Sequence, residues 1–229
     1  MSVKQIESFV KAYGLGAARY REAGMDGVEI LCSQGYGIGQ FLNERTNLRQ
    51  DQYGGSFENR LRFLIEAARA ARAALGDKII LGTRISGDEM SPLGMTLPEV
   101  VEICARLDQE NLFDYFNVIA GGSVTVGAAI HIVPPMHVKN AYVAPYAEAV
   151  KKRVSVPVIV AGRINQPQIA EDVLASGQAD IIGIDGAKHL WVGESQVSRV
   201  LNEIVERVAP EHAPLPAEWD GPMERWSDL

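Results

Sequence analysis

Residues 156–184 read VPVIVAGRINQPQIAEDVLASGQADIIGI, and this stretch decides the fold. Val156–Ala161 is a short run that is apolar on both faces, which suits a strand covered on both sides. Gly162 and Arg163 break it. Gln166–Ala175 then has helical periodicity, with Pro167 in its first turn. Asp180–Ile184 is a second apolar run. A strand, a helix and a strand in that order pair their strands in parallel, because the helix carries the chain back to the starting edge.

The alternation continues upstream. Ile79–Ile85 reads as a strand, Leu97–Leu107 as a helix opened by Pro98, Tyr115–Ala120 as a strand and Tyr142–Arg153 as a helix. Residues 4–23 form a first helix, with Ile6, Phe9, Val10, Tyr13, Ala17 and Tyr20 on one stripe and Gly24 as its stop. Val28–Leu31 is a strand that opens into the glycine-rich loop Gly35 to Gly39. Ser56 caps a helix over 57–75, with Phe57, Leu61, Leu64, Ile65 and Ala68 inward and Gly76 at its end. The class is α/β. A closed (βα) barrel needs eight strands and roughly 250 residues. About five strands fall short of that, and the alternation by itself suits either a barrel or a doubly wound sheet. Because the chain begins with a helix, the first strands of such a barrel have no counterpart in it.

Residues 185–229 change character. Trp191, Trp219 and Trp226 all lie there, Ser195–Val208 reads as an amphipathic helix, and Pro210, Pro214, Pro216 and Pro222 break up the rest. The expected division is a barrel segment over 1–184 and a C-terminal helix with a Pro/Trp-containing tail over 185–229.

Composition narrows the function classes. Of 229 residues, 47% are hydrophobic and 22% charged, which excludes a disordered tail, a collagen or a disulfide scaffold. Asp and Glu number 29 against 22 Lys and Arg, a net charge of −7, so no nucleic-acid partner is expected. No apolar run reaches about 18 residues, and the polar start MSVKQIESFVKAYG is unlike a signal peptide, so no membrane partner is expected. Cys32 and Cys104 are far apart with no CxxC, which fits the cytoplasm and leaves no metal site.

Several residues could carry chemistry. Gly35-Tyr36-Gly37-Ile38-Gly39 falls short of a dinucleotide fingerprint, because position 40 is Gln. Tyr36 lies just past the C-terminal end of a strand, where α/β folds place their chemistry. It reads either as a proton donor or as a packed aromatic with its hydroxyl at the rim. Arg84 ends its strand facing a bound anion or an electron-rich ring, or else pairs with Asp88 or Glu89. Gly162 and Arg163 end another strand and suit a phosphate through backbone N–H groups and charge; the alternative is a surface arginine. His131 and His137 flank a Pro pair and read as loop residues, one of them facing a substrate.

The stretch GMDGVEILCSQGYGIGQFLNERTNLRQDQYGGSFENRLRF, residues 24–63, resembles the old yellow enzyme family, the NADH:flavin oxidoreductases. GTRISGDE, FNVIAGG, VIVAGRI and ADIIG follow in that family's order, so the resemblance covers residues 1–184. Residues 128–171 are most similar to the amine dehydrogenase and demethylase branch. The resemblance implies that the chain is a partial (βα)8 TIM-type barrel of about five parallel strands that binds FMN, with hydride transfer between flavin N5 and a small substrate, an N-methyl amine or an activated alkene. NADH or NADPH would be the reductant. Tyr36 would be catalytic. Leu31, Gln34 and His131 would face the substrate, and Arg84, Asn117, Gly162, Arg163 and Gly183 would hold FMN. Leu31 stands where ene-reductases carry a group that grips a carbonyl oxygen, and it cannot hydrogen-bond, which leans the expectation toward an amine. Gly186 replaces an expected phosphate-binding arginine, with Asp185 beside it and Lys188 as partial compensation.

Residues 184–208, IDGAKHLWVGESQVSRVLNEIVERV, resemble the end of an α/β-hydrolase, with His189 in the catalytic position. No GxSxG elbow accompanies it. The competing expectations are a non-catalytic barrel remnant or fusion without flavin, its open edges covered by a second copy, and a hydrolase-type esterase using His189.

Overall fold

The computed structural model describes residues 1–184, which lie within one compact unit spanning Met1–Leu190. The order of elements is α1 (Val3–Glu22), β1 (Gly27–Leu31), α2 (Gly39–Leu42), α3 (Phe57–Leu75), β2 (Ile80–Asp88), α4 (Leu97–Asp108), β3 (Tyr115–Ala120), α5 (Val126–Ala129), α6 (Ala144–Lys151), β4 (Val158–Ala161), α7 (Pro167–Ala175) and β5 (Ile181–Gly183). All five strands are parallel, and their order in the sheet is their order in the chain. That order settles the architecture. A doubly wound sheet reverses direction partway. A sheet that only steps forward, through right-handed crossovers, puts every helix on one face and curls into the arc of a barrel.

Local chemistry accounts for the helices. Ser2 accepts from the Gln5 backbone N–H while the Gln5 side chain accepts from the Ser2 N–H, a reciprocal cap at the start of α1. Ser56 accepts from the Asn59 N–H at the start of α3. Thr96 and Glu99 cap α4, and Pro98 lies in its first turn. α6 is shorter than the helix expected over 142–153: Ala141 has φ 53° and Pro145 takes the first turn, so the helix starts at Ala144. The short helices α2 and α5 sit inside loops and carry no periodicity long enough to read from sequence.

The helix-facing side of the sheet is the core. Leu81, Ile85, Phe116, Val118, Val158 and Val160 are fully buried there. α1 is covered less than its stripe suggests. Ile6 and Ala17 are buried, but Phe9 and Tyr20 are half-exposed and border a groove of about 370 Å³ beside β1. The physical reason is position: among the described strands β1 is at the edge of the sheet, with β2 as its one neighbour.

At the N-terminal ends of the strands one device appears twice. The Asp114 carboxylate, just before β3, accepts from the Leu81 N–H at 2.7 Å and pairs with Arg72 at 2.6 Å. Asp180, just before β5, accepts from the Val158 N–H at 2.9 Å and pairs with Lys151. Each aspartate fixes the register of the preceding strand from below. Among the described residues no helix is long and apolar enough to cross a membrane.

Candidate functional site

Strand register decides which side chains meet on the face opposite the helices. Leu31, Arg84, Asn117, Ile159 and Ile181 form one row across all five strands. Glu29, Gly82 and Tyr115 form the row below. This face is polar and accessible near β2: the Arg84 side chain is 44% exposed.

Four of these residues make one network. Arg84 Nε reaches Glu29 Oε1 at 2.7 Å. Asn117 Nδ2 donates to Glu29 Oε2 at 2.9 Å, and the Tyr115 hydroxyl donates to the same oxygen at 3.1 Å. Burial and the Glu29 carboxylate together push the Tyr115 phenol well above its usual range. Gly82 is required here, because a Cβ would fall inside the Tyr115 ring lying across it. The expected alternatives for Arg84 were Asp88 and Glu89, and the structure corrects both. Asp88 lies past a bulge in β2, and Glu89 is buried in a loop cluster, whereas Glu29 is on the adjacent strand two residues below Leu31. A glutamate inside the apolar run Val28–Leu31 was the signal.

Above the strand ends the loops are tied together. Gln34 takes a left-handed conformation, φ 61°. Its N–H donates to Ser86 Oγ at 3.0 Å, and its carbonyl accepts from the Ser123 N–H at 2.9 Å. Ser86 Oγ donates in turn to the Gly121 carbonyl at 2.9 Å. Gly121 has φ 90°, and a Cβ there would press on the His131 backbone. The buried Glu89 joins the same loops. Its Oε2 accepts from the Met95 N–H at 2.8 Å and from Asn43 Nδ2 at 3.3 Å, and burial raises its pKa. Sequence reasoning treated Glu89 only as a partner for Arg84 and missed this role.

The result is a cleft of about 560 Å³ at the C-terminal ends of β2 to β5. Gln34, Arg84, Asn117, His131, Gly162, Arg163 and Gly183 all line it, so seven of the residues singled out from sequence converge. Leu31 and Tyr36 do not line it. Leu31 stands next to Arg84 in register but is 42% exposed, and Tyr36 is 45% exposed on the loop rim. Arg163 is not the surface arginine of the alternative reading. It is half-buried with φ 55°, and one of its Nη groups donates to the Met136 carbonyl at 3.1 Å. The His131 ring packs on Tyr142, whose hydroxyl donates to the His131 carbonyl at 3.0 Å. Burial holds the Tyr142 phenol up at about 12.

Four buried polar atoms on the cleft-lining residues have no hydrogen-bond partner among the described residues: Asn117 Oδ1, His131 Nδ1, Arg163 Nε and Asn165 Oδ1. Buried polar groups are satisfied in the great majority of cases. A cluster of orphans along one cleft therefore fits a polar ligand. Arg84, on β2, and Arg163, two residues past the end of β4, both line the cleft and bring positive charge. Among the described residues no group of three or more His, Cys, Asp or Glu could hold a metal ion.

Residues 1–188 match the NADH:flavin oxidoreductase / NADH oxidase family. The N,N-dimethylglycine/sarcosine dehydrogenase of Chromohalobacter salexigens is 38% identical over 184 residues, which are 80% of this chain and 26% of that protein. The metal reductase of Desulforamulus reducens is 34% identical over 211 residues, 92% of this chain and 30% of that protein. Among solved structures, 2-naphthoyl-CoA reductase in complex with 2-naphthoyl-CoA matches with a TM-score of 0.75 at 33% identity, over 80% of this chain and 27% of that one. The chain thus spans less than a third of the length of these relatives. A match over 92% of the chain runs beyond residue 188, into the segment that resembled a hydrolase end. The hydrolase resemblance finds no support. Asp185, Gly186, Lys188, His189 and the expected helix 195–208 lie outside the described residues.

Proposed function

Because the chain belongs to the NADH:flavin oxidoreductase / NADH oxidase family, we propose that its cleft holds FMN and that it acts as an NAD(P)H-dependent flavin oxidoreductase. The observation that carries this reading is the set of unpartnered buried atoms on a cleft that contains both Arg84 and Arg163. Arg163, with Gly162 and Gly183, would take the phosphate at the ends of β4 and β5, where barrels of this kind bind phosphate. Arg84 and Asn117 would take the ring. Bound FMN supplies a centre that accepts or gives a hydride at N5.

The protein's own groups would do the rest. Arg84 places positive charge beside the ring, where reduction adds negative charge. His131, held by Tyr142, and Gln34, held by Ser86, form the wall over the cleft and orient the substrate. Tyr36 on the rim would move a proton at the substrate. Leu31 offers an apolar surface beside Arg84 and no hydrogen bond, which favours an N-methyl amine over a carbonyl-activated alkene. The buried free thiols of Cys32 and Cys104 support a cytoplasmic setting.

The test is an absorbance spectrum of the purified chain after addition of FMN and desalting, followed by an NADH oxidation assay. Retained flavin bands, lost in Arg163→Ala, are expected. A protein that comes through colourless overturns the reading.

A further inference from the structure

Glu29 has no part in the reading above, yet one cation and two hydrogen-bond donors from two neighbouring strands converge on its carboxylate. Arg84 Nε takes one oxygen at 2.7 Å, and Asn117 Nδ2 and the Tyr115 hydroxyl share the other at 2.9 and 3.1 Å. The consequence is orientation. With its Nε ion-paired to Glu29, the Arg84 guanidinium keeps its Nη groups for another partner, and among the described residues these carry no hydrogen bond. With its amide nitrogen tied down, Asn117 has one way to face, and its Oδ1 is left buried and without a partner among the described residues. Arg84 and Asn117 are register partners on adjacent strands and line the same cleft. One offers donors only and the other an acceptor only.

We infer that Glu29 is a positioning residue that presets Arg84 and Asn117 as a matched donor and acceptor for a ring edge carrying a carbonyl beside an N–H. The pyrimidine edge of a flavin is such an edge: its carbonyl oxygens accept and its imide N–H donates. An asparagine free to turn would offer its NH2 as readily as its oxygen and lose the distinction. Glu29 also sets the charge at that edge. It offsets part of the Arg84 cation, so its removal leaves Arg84 uncompensated beside the ring. Tyr115 extends the same device. Its ring crosses Gly82 to reach the carboxylate, and it holds Glu29 without lining the cleft.

The inference rests on the flavin reading, and the experiment separates the two. Wild type, Glu29→Gln, Tyr115→Phe and Arg163→Ala are titrated with FMN and with riboflavin, which has the ring without the phosphate. The midpoint potential of the bound flavin is measured alongside. Glu29→Gln should weaken both ligands by the same factor, roughly tenfold, and move the potential positive. Tyr115→Phe should do the same to a smaller extent, and Arg163→Ala should weaken FMN while sparing riboflavin. Unchanged affinities and an unchanged potential in Glu29→Gln would overturn the inference and leave the flavin reading standing. A wild type that binds neither ligand overturns the reading, and the inference falls with it. If Glu29→Gln loses its native circular dichroism, Tyr115→Phe decides, and an unchanged ring affinity there counts against the inference.

Discussion

On the helix-covered face of the sheet, Phe116, Val118, Val158 and Val160 are fully buried. On the opposite face of the same strands, Leu31 is 42% exposed and the Arg84 side chain 44%. One face is apolar and continuous, and its residues are held by area removed from water. The other is held by an ion pair and hydrogen bonds around Glu29, with buried polar atoms left over that have no partner among the described residues. The difference shows how one set of strands divides its work: alternate residues support the fold, and the residues between them are free to carry chemistry.

The largest effect that would break this comparison comes from the covered face. Phe116→Ala should cost about 3–5 kcal/mol in urea denaturation, whereas Leu31→Ala should stay within about 0.5 kcal/mol. Equal costs would mean that both faces are packed. Next comes the device under the strands. Asp114→Ala leaves the Leu81 N–H without its acceptor and Arg72 without its partner. It should cost roughly 1–3 kcal/mol while leaving ligand binding at the far end of the strands unchanged.

Charge gives a third, smaller contrast, read as stability against pH. Burial raises the Glu89 carboxyl above its ordinary 4.5, so the native state holds a proton that the unfolded chain releases. Stability from this group is present below 4.5 and falls as pH rises through the raised value. Glu89→Gln should flatten that decline. Glu110 on the helix side has the opposite sign. Arg106, with help from Arg69, lowers its pKa, so its stabilisation is present above 4.5 and lost as pH falls through the lowered value. Glu110→Gln should flatten the acid limb instead, and denaturation midpoints across the pH range would read both.

The smallest expected effect is none at all. Cys32 and Cys104 are fully buried, and burial pushes the Cys32 thiol up to about 12. Neither should react with a thiol reagent until the protein unfolds.

The covered face was legible in the sequence because its signal is periodic. The helix over 57–75 and the strand 115–120 match their expected bounds, and the sheet order follows from alternation alone. The open face was legible only in part. Arg84, Asn117, Gly162 and Arg163 were picked out by strand-end position and family likeness, and they line one cleft. Glu29 was missed because a single charge in an apolar strand does not announce its partner; that depends on register with β2 and β3. Glu89 was missed because its ties run to the Met95 N–H in its own loop and to Asn43, 46 residues away, and neither shows as a pattern in the sequence. The stripe of α1 was legible, but Phe9 and Tyr20 on it are half-exposed, because periodicity marks a stripe and not how much of it the sheet edge can cover.

Hydrogen exchange measured by mass spectrometry, with and without FMN, tests most directly the claim that the open face is the ligand face. Protection should appear in the segments at the C-terminal ends of the strands, residues 84–88, 117–122 and 161–165, and be absent from α3 and α4. No protection there, or protection confined to the helices, would contradict the account.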